Sequence, residues 1–319
     1  MGRRRKPPEG ARPLDGWVVV DKPLGLTSAQ VVSRLRHSLK PLRIGHAGTL
    51  DPLASGVLPV ALGEATKTVA YAMDGAKTYL FTLQFGQSRA TDDAEGEITG
   101  ESPRRPETEA LRAILPRFTG HLRQRPPAFS AIKLAGRRAY DLARAGLAPE
   151  MAERDIEIKS LDLVARPGPD TADFTVTCGK GTYIRALARD LAEAVGTLGH
   201  VVALRRTRVG PFVENQAIAL DKLIALGHSA PAFEYLLPIE TALDDIPALA
   251  LTGEQADLLR QGRAVAVPGT GATRPREGGA DKAAAISDGT VVCAMEGSRL
   301  VALARFGAGV LHPVRVLNL

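Results

Sequence analysis

Strict alternation of residue type in the stretch KTYLFTLQF constrains the fold of this chain more than any other local pattern. Tyr79, Phe81, Leu83 and Phe85 recur at every second position, and this period places all four side chains on one face of a β-strand. The stretch DFTVTC, around Phe174, repeats the alternation. The chain therefore needs a sheet with one apolar face that other elements cover.

Helical signals accompany these strands. The stretch GWVVVDKPLGLTS predicts a short strand, a turn at Pro23 and Gly25, and a helix that begins after Thr27 or Ser28. A second helix is predicted in GKGTYIRALARDLAEAVG, where Gly196 ends it. Because strand-like segments outnumber regular strand–helix–strand alternations, we expect an α+β fold with a mixed, largely antiparallel sheet flanked by helices.

The pattern changes near Ile246. The stretch LTGEQADLLRQG predicts a helix with a capping box formed by Thr252 and Gln255. Short β-branched runs follow in VVCAMEGSRLVALARF and HPVRVLNL, with turn signals between them. We therefore expect residues 246–319 to form a small C-terminal β-barrel.

Composition narrows the class of protein. Lys and Arg number 41 against 35 Asp and Glu, a net charge of +6, which favours a polyanionic partner. The two cysteines form no CxxC pair, so neither a disulfide framework nor a structural zinc site is expected. The apolar runs are too short to span a membrane. We expect a cytoplasmic protein with a disordered basic tail over residues 1–14.

One acidic residue has an unusual setting in the stretch GHAGTLDPLASGVL. Asp51 is surrounded there by apolar and loop-forming residues, and no Lys or Arg lies nearby in sequence. A buried carboxylate without a partner costs several kcal/mol. Asp51 is therefore exposed, neutral, or paired with a cation from a distant part of the chain.

Five segments together carry a family resemblance. They are DKPLGLTS, GHAGTLDPLASGVLPVALGEATK, KTYLFTLQFG, QRPPAFSAIKLAGRRAYDLARAG and CGKGTYIRALARDLA. In order and approximate spacing, the stretch 17–212 resembles the bacterial TruB-type tRNA pseudouridine synthases, and the C-terminal segment resembles a PUA RNA-binding domain. The resemblance implies a pseudouridine synthase fold over residues 15–245, a T-arm-binding insertion at about 121–151, and a PUA-like domain over 246–319.

The resemblance also implies a reaction. Members of this family isomerise uridine at position 55, in the T loop of tRNA, to pseudouridine. The base leaves its ribose through N1 and rejoins it through C5, so no redox change, cofactor or metal is required. The implied partner is the T arm of tRNA, and the implied enzyme acts alone, as a monomer without an obligatory protein partner.

The catalytic residues are assigned by the same resemblance. Asp51 matches the catalytic aspartate, and Arg185 in GTYIR matches the arginine that pairs with it. A bidentate guanidinium would hold a partly desolvated carboxylate ionised and oriented. Tyr79 matches a tyrosine that stacks on the target base, although its phase with Phe81 is also that of a core residue. Whether Asp51 attacks a carbon or removes a sugar proton stays open.

Further residues are assigned to substrate binding. Tyr183 carries a phenol that can hydrogen-bond the base, Leu204 matches an apolar pocket residue, and His46 matches a histidine that fills the space left by the extruded nucleotide. The stretch 121–146 contains six Lys or Arg residues, interleaved with aromatics, against one Asp. A surface of this kind suits folded RNA. The basic residues assigned to tRNA are Lys133, Arg137 and Arg138.

Three alternatives remain at this point. A guide-RNA-dependent pseudouridine synthase would share the catalytic motifs, but the T-arm insertion argues against it. An RNA-binding or tRNA-folding protein could use the same fold without catalysis. A phosphate-transferring enzyme is disfavoured because GKGT at Gly179 lacks the complete GxxxxGK[ST] pattern.

Overall fold

A computed structural model describes most of the chain. It covers residues 10–134, 136–147, 149–227, 234–267 and 286–319. Within these ranges the helices are α1 (Ser28–Leu39), α2 (Val69–Asp74), α3 (Thr108–Ile114), α4 (Ala139–Arg144), α5 (Ile184–Ala194), α6 (Leu220–Leu226) and α7 (Gly253–Arg260). Short 3₁₀ helices lie at Gly63–Thr68, Leu115–Phe118, Glu214–Gln216 and Ile239–Leu243.

The strands of the N-terminal part, in chain order, are β1 (Gly16–Lys22), β2 (Ile44–His46), β3 (Ala54–Leu62), β4 (Lys77–Phe85), β5 (Gln87–Arg89), β6 (Ile98–Glu101), β7 (Gly120–Gln124), β8 (Lys133–Leu134), β9 (Arg137–Arg138), β10 (Arg154–Gly168), β11 (Thr171–Cys178), β12 (Gly199–Val209), β13 (Phe212–Val213) and β14 (Ile218–Ala219). Those of the C-terminal part are β15 (Ala248–Ala250), β16 (Val265–Ala266), β17 (Val291–Glu296), β18 (Arg299–Gly307) and β19 (Val310–Val316).

A ten-stranded sheet organises the N-terminal part of the described chain. Its order is β14-β1-β3-β12-β4-β11-β10-β7, with β2 beside β3 and β13 beside β12. The pairs β1–β14 and β3–β12 are parallel, and the other pairs are antiparallel. The expected mixed, largely antiparallel sheet is confirmed.

The alternating residues of β4 form the predicted apolar face. Phe81, Leu83 and Phe85 are buried, and the ring of Phe81 stacks on that of Phe174 in β11 at 5.2 Å between centroids. Helix α5 contributes Leu187, among others, to the same core. This packing fixes α5 against the sheet and thereby sets where the side chains of its first turn lie.

Helix α1 begins where the sequence predicts. The side chain of Thr27 accepts a hydrogen bond from the backbone of Gln30, and the Gln30 side chain accepts one from the backbone of Thr27. Such a capping box satisfies two backbone donors at a helix start. Val31 and Leu35 are fully buried, which anchors the helix next to the loop that carries Asp51.

The C-terminal part is a curled five-stranded sheet in the order β15-β17-β18-β19-β16. Helix α7 packs against this sheet through Leu259, and its predicted capping box of Thr252 and Gln255 is present. Within the described residues β15 and β16 form no hydrogen-bonded pair, so the expected small barrel takes the form of a half-barrel there. The half-barrel is consistent with a PUA-like domain.

The two sheets share an apolar core. Trp17 of β1 is fully buried in one cluster with Leu303 and Leu317 of the C-terminal part. Lys67 reinforces this junction by donating a hydrogen bond to the carbonyl of Val316 at 2.7 Å. The half-barrel is therefore packed on the larger sheet and is not an independent appendage.

The predicted tail is only partly within the described chain. Residues 1–9 lie outside the described residues, whereas the backbone of Arg12 bonds to the backbone of Lys40 and of Leu42. Leu14 is buried in the main core. The expectation of disorder therefore does not hold for Arg12 and Leu14. Within the described ranges, no helix combines the length and apolar character needed to cross a membrane.

Candidate active site

Asp51 lies in the loop between β2 and β3, and neighbouring residues hold this loop from both sides. The hydroxyl of Ser28 accepts a hydrogen bond from the Leu50 backbone at 2.8 Å and donates one to its carbonyl at 3.2 Å. The backbone N–H of Gly25 donates to the carbonyl of Pro52 at 2.9 Å. The side chain of Asp51 remains 37% exposed, so a ligand can reach it.

Arg185, in the first turn of α5, supplies the distant cation. Its Nε donates to Asp51 Oδ2 at 2.9 Å across 134 positions of sequence. Its Nη1 donates to the carbonyl of Thr91 at 2.6 Å, and its Nη2 donates to that of Phe129 at 2.9 Å. The predicted contact is present, but through one nitrogen rather than two. The expected bidentate arrangement is absent because backbone carbonyls occupy both Nη atoms.

A second carboxylate, Asp93, shares this guanidinium. Its Oδ2 lies 3.4 Å from Nη1 of Arg185, and its side chain is only 4% exposed. Its Oδ1 accepts hydrogen bonds from the hydroxyl of Thr91 and the backbone of Glu95. Sequence reasoning missed Asp93. It lies in the polar stretch TDDAEGE, where an aspartate is indistinguishable from a turn former.

The loop that carries Asp93 is braced by a second arginine of the same helix. Arg189 lies one turn after Arg185 in α5, and its Nη1 donates to Oδ2 of Asp92 at 2.8 Å. Its Nη2 donates to the carbonyl of Arg125 at 2.8 Å. Two arginines on one helix face thus bind two adjacent aspartates and hold the loop against the Asp51–Arg185 pair.

A cavity of about 300 Å³ opens on one side of this ion pair. Its walls include Tyr79, Tyr183 and Leu204, three residues that the sequence assigned to the site. Burial raises the pKa of the Tyr79 phenol and of the Tyr183 phenol, so both hydroxyls keep their protons near neutral pH. The cavity thus combines aromatic and aliphatic walls with hydroxyl groups and charged side chains, a lining that suits a flat heterocyclic base.

Tyr183 is positioned by the segment inserted between β7 and β10. The side-chain amide of Gln124, at the end of β7, bonds both the backbone N–H and the carbonyl of Tyr183, at 2.9 and 3.1 Å. The inserted segment has its own small core of Ile132, Ala139 and Met151, and Tyr183 packs against it. The insertion therefore forms part of the site wall.

A second cavity, of about 610 Å³, lies on the other side of the ion pair. His46 and Lys133 line it, and Asp51 and Arg185 belong to the walls of both cavities. Burial lowers the pKa of the His46 ring, so the ring is neutral at pH 7. Its buried Nδ1 has no hydrogen-bond partner within the described chain.

The remaining basic residues of the insertion lie away from the ion pair. Arg137 is exposed in β9, which pairs with β8 and hence with Lys133, and it lines neither cavity. Arg138 belongs to the same strand, and its side chain lies outside the described part of the structure. The structure therefore places Lys133 at the site and Arg137 on the adjoining surface.

Arg206 is a further residue that sequence reasoning missed. It lines the first cavity and is 1% exposed. Its guanidinium donates to the carbonyls of Val57 at 2.8 Å, Gly48 at 3.1 Å and Thr49 at 3.4 Å. The sequence did indicate its position, because Arg206 follows Leu204 by two residues in a strand and so lies on the same face as this predicted pocket residue.

Two lysines beside the site are also buried. Lys22 is fully buried, and its Nζ donates to the carbonyls of Leu26 and Pro23. Lys77 is 7% exposed and binds the carbonyls of Met73 and Gly75. Burial lowers the pKa of each ammonium group to about 8. Among the described residues, no cluster of His, Cys, Asp and Glu could hold a metal ion.

Known proteins share this arrangement of sequence and fold. Residues 36–184 match the family described as TruB family pseudouridylate synthase (N terminal domain). Residues 185–244 match the tRNA pseudouridylate synthase B C-terminal domain. Together these two matches run from the end of α1 to the junction with the half-barrel, and they include every strand of the larger sheet except β1.

Two relatives are similar over nearly their whole length, and both are named tRNA pseudouridine synthase B. The protein of Gluconacetobacter diazotrophicus is 53% identical over 96% of this chain and 98% of its own. That of Rhodospirillum rubrum is 50% identical over all of both chains.

Solved structures support the fold. A chain in the structure of an H/ACA RNP bound to a substrate RNA containing 2′-deoxyuridine has a TM-score of 0.73 at 24% identity, covering 100% of this chain and 92% of its own. A chain of a Cbf5-Nop10-Gar1 complex has a TM-score of 0.69 at 28% identity, with 96% and 84% covered. With the curated relatives at about half identity over the full length, the chain belongs to the TruB family of pseudouridylate synthases.

Proposed function

We propose that the protein isomerises uridine at position 55, in the T loop of tRNA, to pseudouridine, and that it does so without a guide RNA. The observation that carries this proposal is the carboxylate of Asp51, held 2.9 Å from the buried Arg185 beside a base-sized cavity. Full-length relatives named tRNA pseudouridine synthase B support it.

The reaction needs little beyond positioning and charge. The bond between N1 and C1′ breaks, the base turns, and C5 bonds to C1′; C5 then loses its proton and N1 gains one. Substrate and product have the same atoms and the same oxidation level. The reaction therefore requires no cofactor, and a carboxylate at the sugar–base junction can provide the chemistry.

Each catalytic residue has a role that fits its position. Asp51 acts on the sugar, either as the nucleophile at C1′ or as the base that removes a sugar proton. Arg185 orients this carboxylate and supplies its counter-charge, because its guanidinium is itself fixed by the carbonyls of Thr91 and Phe129. Tyr79 lies along the base cavity with its proton retained, where its ring can stack on the uracil.

The substrate-binding residues divide between the two cavities. Tyr183 and Leu204 would contact the extruded base in the first cavity, since both line it. His46 and Lys133 line the second cavity, where His46 would occupy the space that the base leaves and Lys133 would bind a phosphate. The adjoining surface, with Arg137 and Arg138, would contact the T-arm backbone.

The organisation of the chain follows from this assignment. Residues 15–245 form the catalytic domain, with the T-arm-binding insertion at about 121–151, and residues 246–319 form a PUA-like RNA-binding domain. The protein acts as a monomer in the cytoplasm, where its tRNA substrate is found.

The test is a pseudouridine map of a T-arm hairpin incubated with the purified chain alone. We expect conversion at a single uridine, unchanged by EDTA, and no conversion in a matched hairpin with cytidine at that position. Conversion only after a guide RNA or another protein is added would refute the stand-alone assignment. Loss of turnover with EDTA that one metal restores, while the RNA stays folded, would refute the chemistry proposed.

A further inference from the structure

The surroundings of the base cavity hold more buried positive charge than negative charge. The buried cations are Lys22, Lys77, Arg185 and Arg206. The carboxylates close to them are the buried Asp93, the partly exposed Asp51 and Asp92, and the exposed Glu95 and Asp74. Asp92 is paired with Arg189 and Asp74 with Lys180. Within the described chain, only Arg185 of the four cations forms an ion pair with a carboxylate. The other three bind backbone carbonyls.

Arg206 is the most completely enclosed of the cations that line the first cavity. Each of its three nitrogens donates a hydrogen bond to a carbonyl, but a carbonyl does not neutralise a charge. A buried guanidinium without a counter-charge is costly, so a negative charge that formed beside it during the reaction would be stabilised. The cavity that Arg206 lines also contains Asp51 and Tyr79, so the missing negative charge would form beside the reacting base.

The charge of Arg206 acts on several titratable groups near this cavity. Burial lowers the pKa of Lys22 and of Lys77 to about 8, and the charge of Arg206 acts in the same direction on both. It also adds to the effect of burial that lowers the pKa of His46. For Tyr79 it opposes the rise that burial causes. Because Arg206 also lines the cavity, a base held there would lie within the field of this charge.

The backbone of Arg206 is locked in place by its strand. Gly56 of β3 lies directly opposite Arg206 in the parallel pair with β12. A Cβ at Gly56 would come within 2.2 Å of the Arg206 carbonyl oxygen. The guanidinium is therefore fixed before substrate binds, which is the condition under which a charge stabilises a transition state efficiently.

We propose that Arg206 stabilises the negative charge that develops on the uracil when its bond to the ribose breaks. This inference rests on the proposed function. When the N1–C1′ bond breaks, its electron pair stays on the base, which becomes an anion delocalised over N1, O2 and O4. C1′ meanwhile bonds to the Asp51 carboxylate, or Asp51 takes a sugar proton. The anion then turns and uses an electron pair to form the C5–C1′ bond, while the C1′–O bond to Asp51 breaks or Asp51 returns the proton to the sugar. C5 then loses its proton and N1 gains one.

The experiment compares two RNAs that differ in how well the base carries negative charge. T-arm hairpins carry uridine or 5-fluorouridine at the target position. The fluorine withdraws electrons and stabilises the base anion without help from the protein. The readout for both RNAs is the single-turnover rate at which the original N1–C1′ bond is lost, because C5 of the fluorinated base cannot be deprotonated after rearrangement.

We expect Arg206→Met to slow the reaction of uridine by about 100- to 1000-fold. The rate loss on 5-fluorouridine should be smaller than the loss on uridine by a factor of about ten or more. Arg206→Lys keeps the charge, so it should react with uridine faster than Arg206→Met does. The difference in rate between these two variants should be smaller on 5-fluorouridine. If Arg206→Met does not fold, Arg206→Gln is the neutral variant to compare. RNA binding and thermal unfolding of each variant show whether it is folded.

The matched control is Arg166→Met, because the Arg166 guanidinium also binds two carbonyls, those of Pro106 and Pro169 at 2.8 Å, and lines neither cavity. It should react with both RNAs at the wild-type rate. Equal losses on both RNAs for Arg206→Met and Arg206→Lys would show that Arg206 only holds the Gly48–Thr49 loop, and would overturn the inference. A wild-type protein inactive on uridine would instead refute the proposed function.

Discussion

At the scale of single residues, Asp51 and Asp93 share one guanidinium but differ in exposure. The side chain of Asp51 is 37% exposed, whereas that of Asp93 is 4% exposed. The buried Asp93 neutralises Arg185 in the resting protein, and the exposed Asp51 is the one that a substrate can reach. Under the proposed function, the two carboxylates therefore contribute to different properties, Asp93 to stability and Asp51 to chemistry.

This difference predicts stability effects of different size for the same substitution. Asp93→Asn removes the buried partner of a buried charge and should lower the free energy of unfolding by about 3 kcal/mol. Asp51→Asn removes a partly exposed partner and should change it by about 1 kcal/mol or less. Urea unfolding of both variants measures the difference. Equal losses for the two variants would contradict the division of roles.

Lys22 predicts a dependence of stability on pH. In the folded protein burial lowers the pKa of Lys22 from 10.5 to about 8, so between these values the unfolded chain binds one proton more than the folded one. Stability therefore rises with pH across this window. The free energy of unfolding of wild type should increase relative to that of Lys22→Met between pH 8 and 10.5. The control is Lys180→Met, because Lys180 is exposed. A difference in free energy of unfolding between wild type and Lys22→Met that stays constant with pH would refute the prediction.

The sequence predicted residues that the family motifs contain and missed those that only tertiary structure reveals. Asp51, Arg185 and Tyr79 were identifiable by resemblance, and the structure places them at one cavity. Asp93 carries no local signal, because its importance comes from a contact with a helix 92 positions away in sequence. The position of Arg206, two residues after Leu204 in one strand, indicated only that the two side chains share a face. Its three carbonyl partners lie on β3 and the Asp51 loop, which are distant in sequence.

At the scale of elements, local chemistry predicted where helices and strands begin but not which strands pair. The capping box at Thr27 and the alternation in β4 both depend on neighbouring residues. The parallel pair of β3 with β12 joins segments about 150 residues apart, and period-two patterns do not encode such a partner. This pair matters for the site because it places Arg206 beneath the Asp51 loop.

Gly56 allows β3 and β12 to pair closely, and substituting it tests that pairing. It has a φ of +99°, and a Cβ there would lie 2.2 Å from the Arg206 carbonyl oxygen. Gly56→Ala should cost about 3 kcal/mol or more, from the clash and the backbone strain together. Gly120, with a φ of +102° and no atom within 4 Å of an added Cβ, is the matched control, since Gly120→Ala should cost only about 1 to 2 kcal/mol. Equal costs in urea unfolding would contradict the close approach of β3 and β12.

At the scale of the whole molecule, the C-terminal half-barrel was expected to be a separate unit, but it shares a core with the catalytic sheet. No single segment signals this contact, because it is formed by residues from both ends of the chain. Trp17 contributes to the interface, packed with Leu303 and Leu317, and it is the sole tryptophan of the sequence. Its fluorescence therefore reports on the junction directly.

Deleting residues 246–319 should expose this tryptophan. We expect a red shift of its emission and a loss of about 3 kcal/mol or more in stability, because at least one large apolar side chain becomes hydrated. RNA affinity and chemistry would then both be affected through folding. Unchanged emission and an unchanged unfolding midpoint in the shortened chain would show that the half-barrel is independent after all.

The central claim is that the Asp51 carboxylate, held by Arg185, performs the isomerisation. The most direct measurement is single-turnover pseudouridine formation by Asp51→Asn on a T-arm hairpin, with RNA binding measured in parallel. Binding should persist, because it depends mainly on the basic surface and the base cavity, while pseudouridine formation should be abolished. A rate within about tenfold of wild type, roughly 1.4 kcal/mol in barrier, would contradict the account and leave Asp51 a structural residue of its loop.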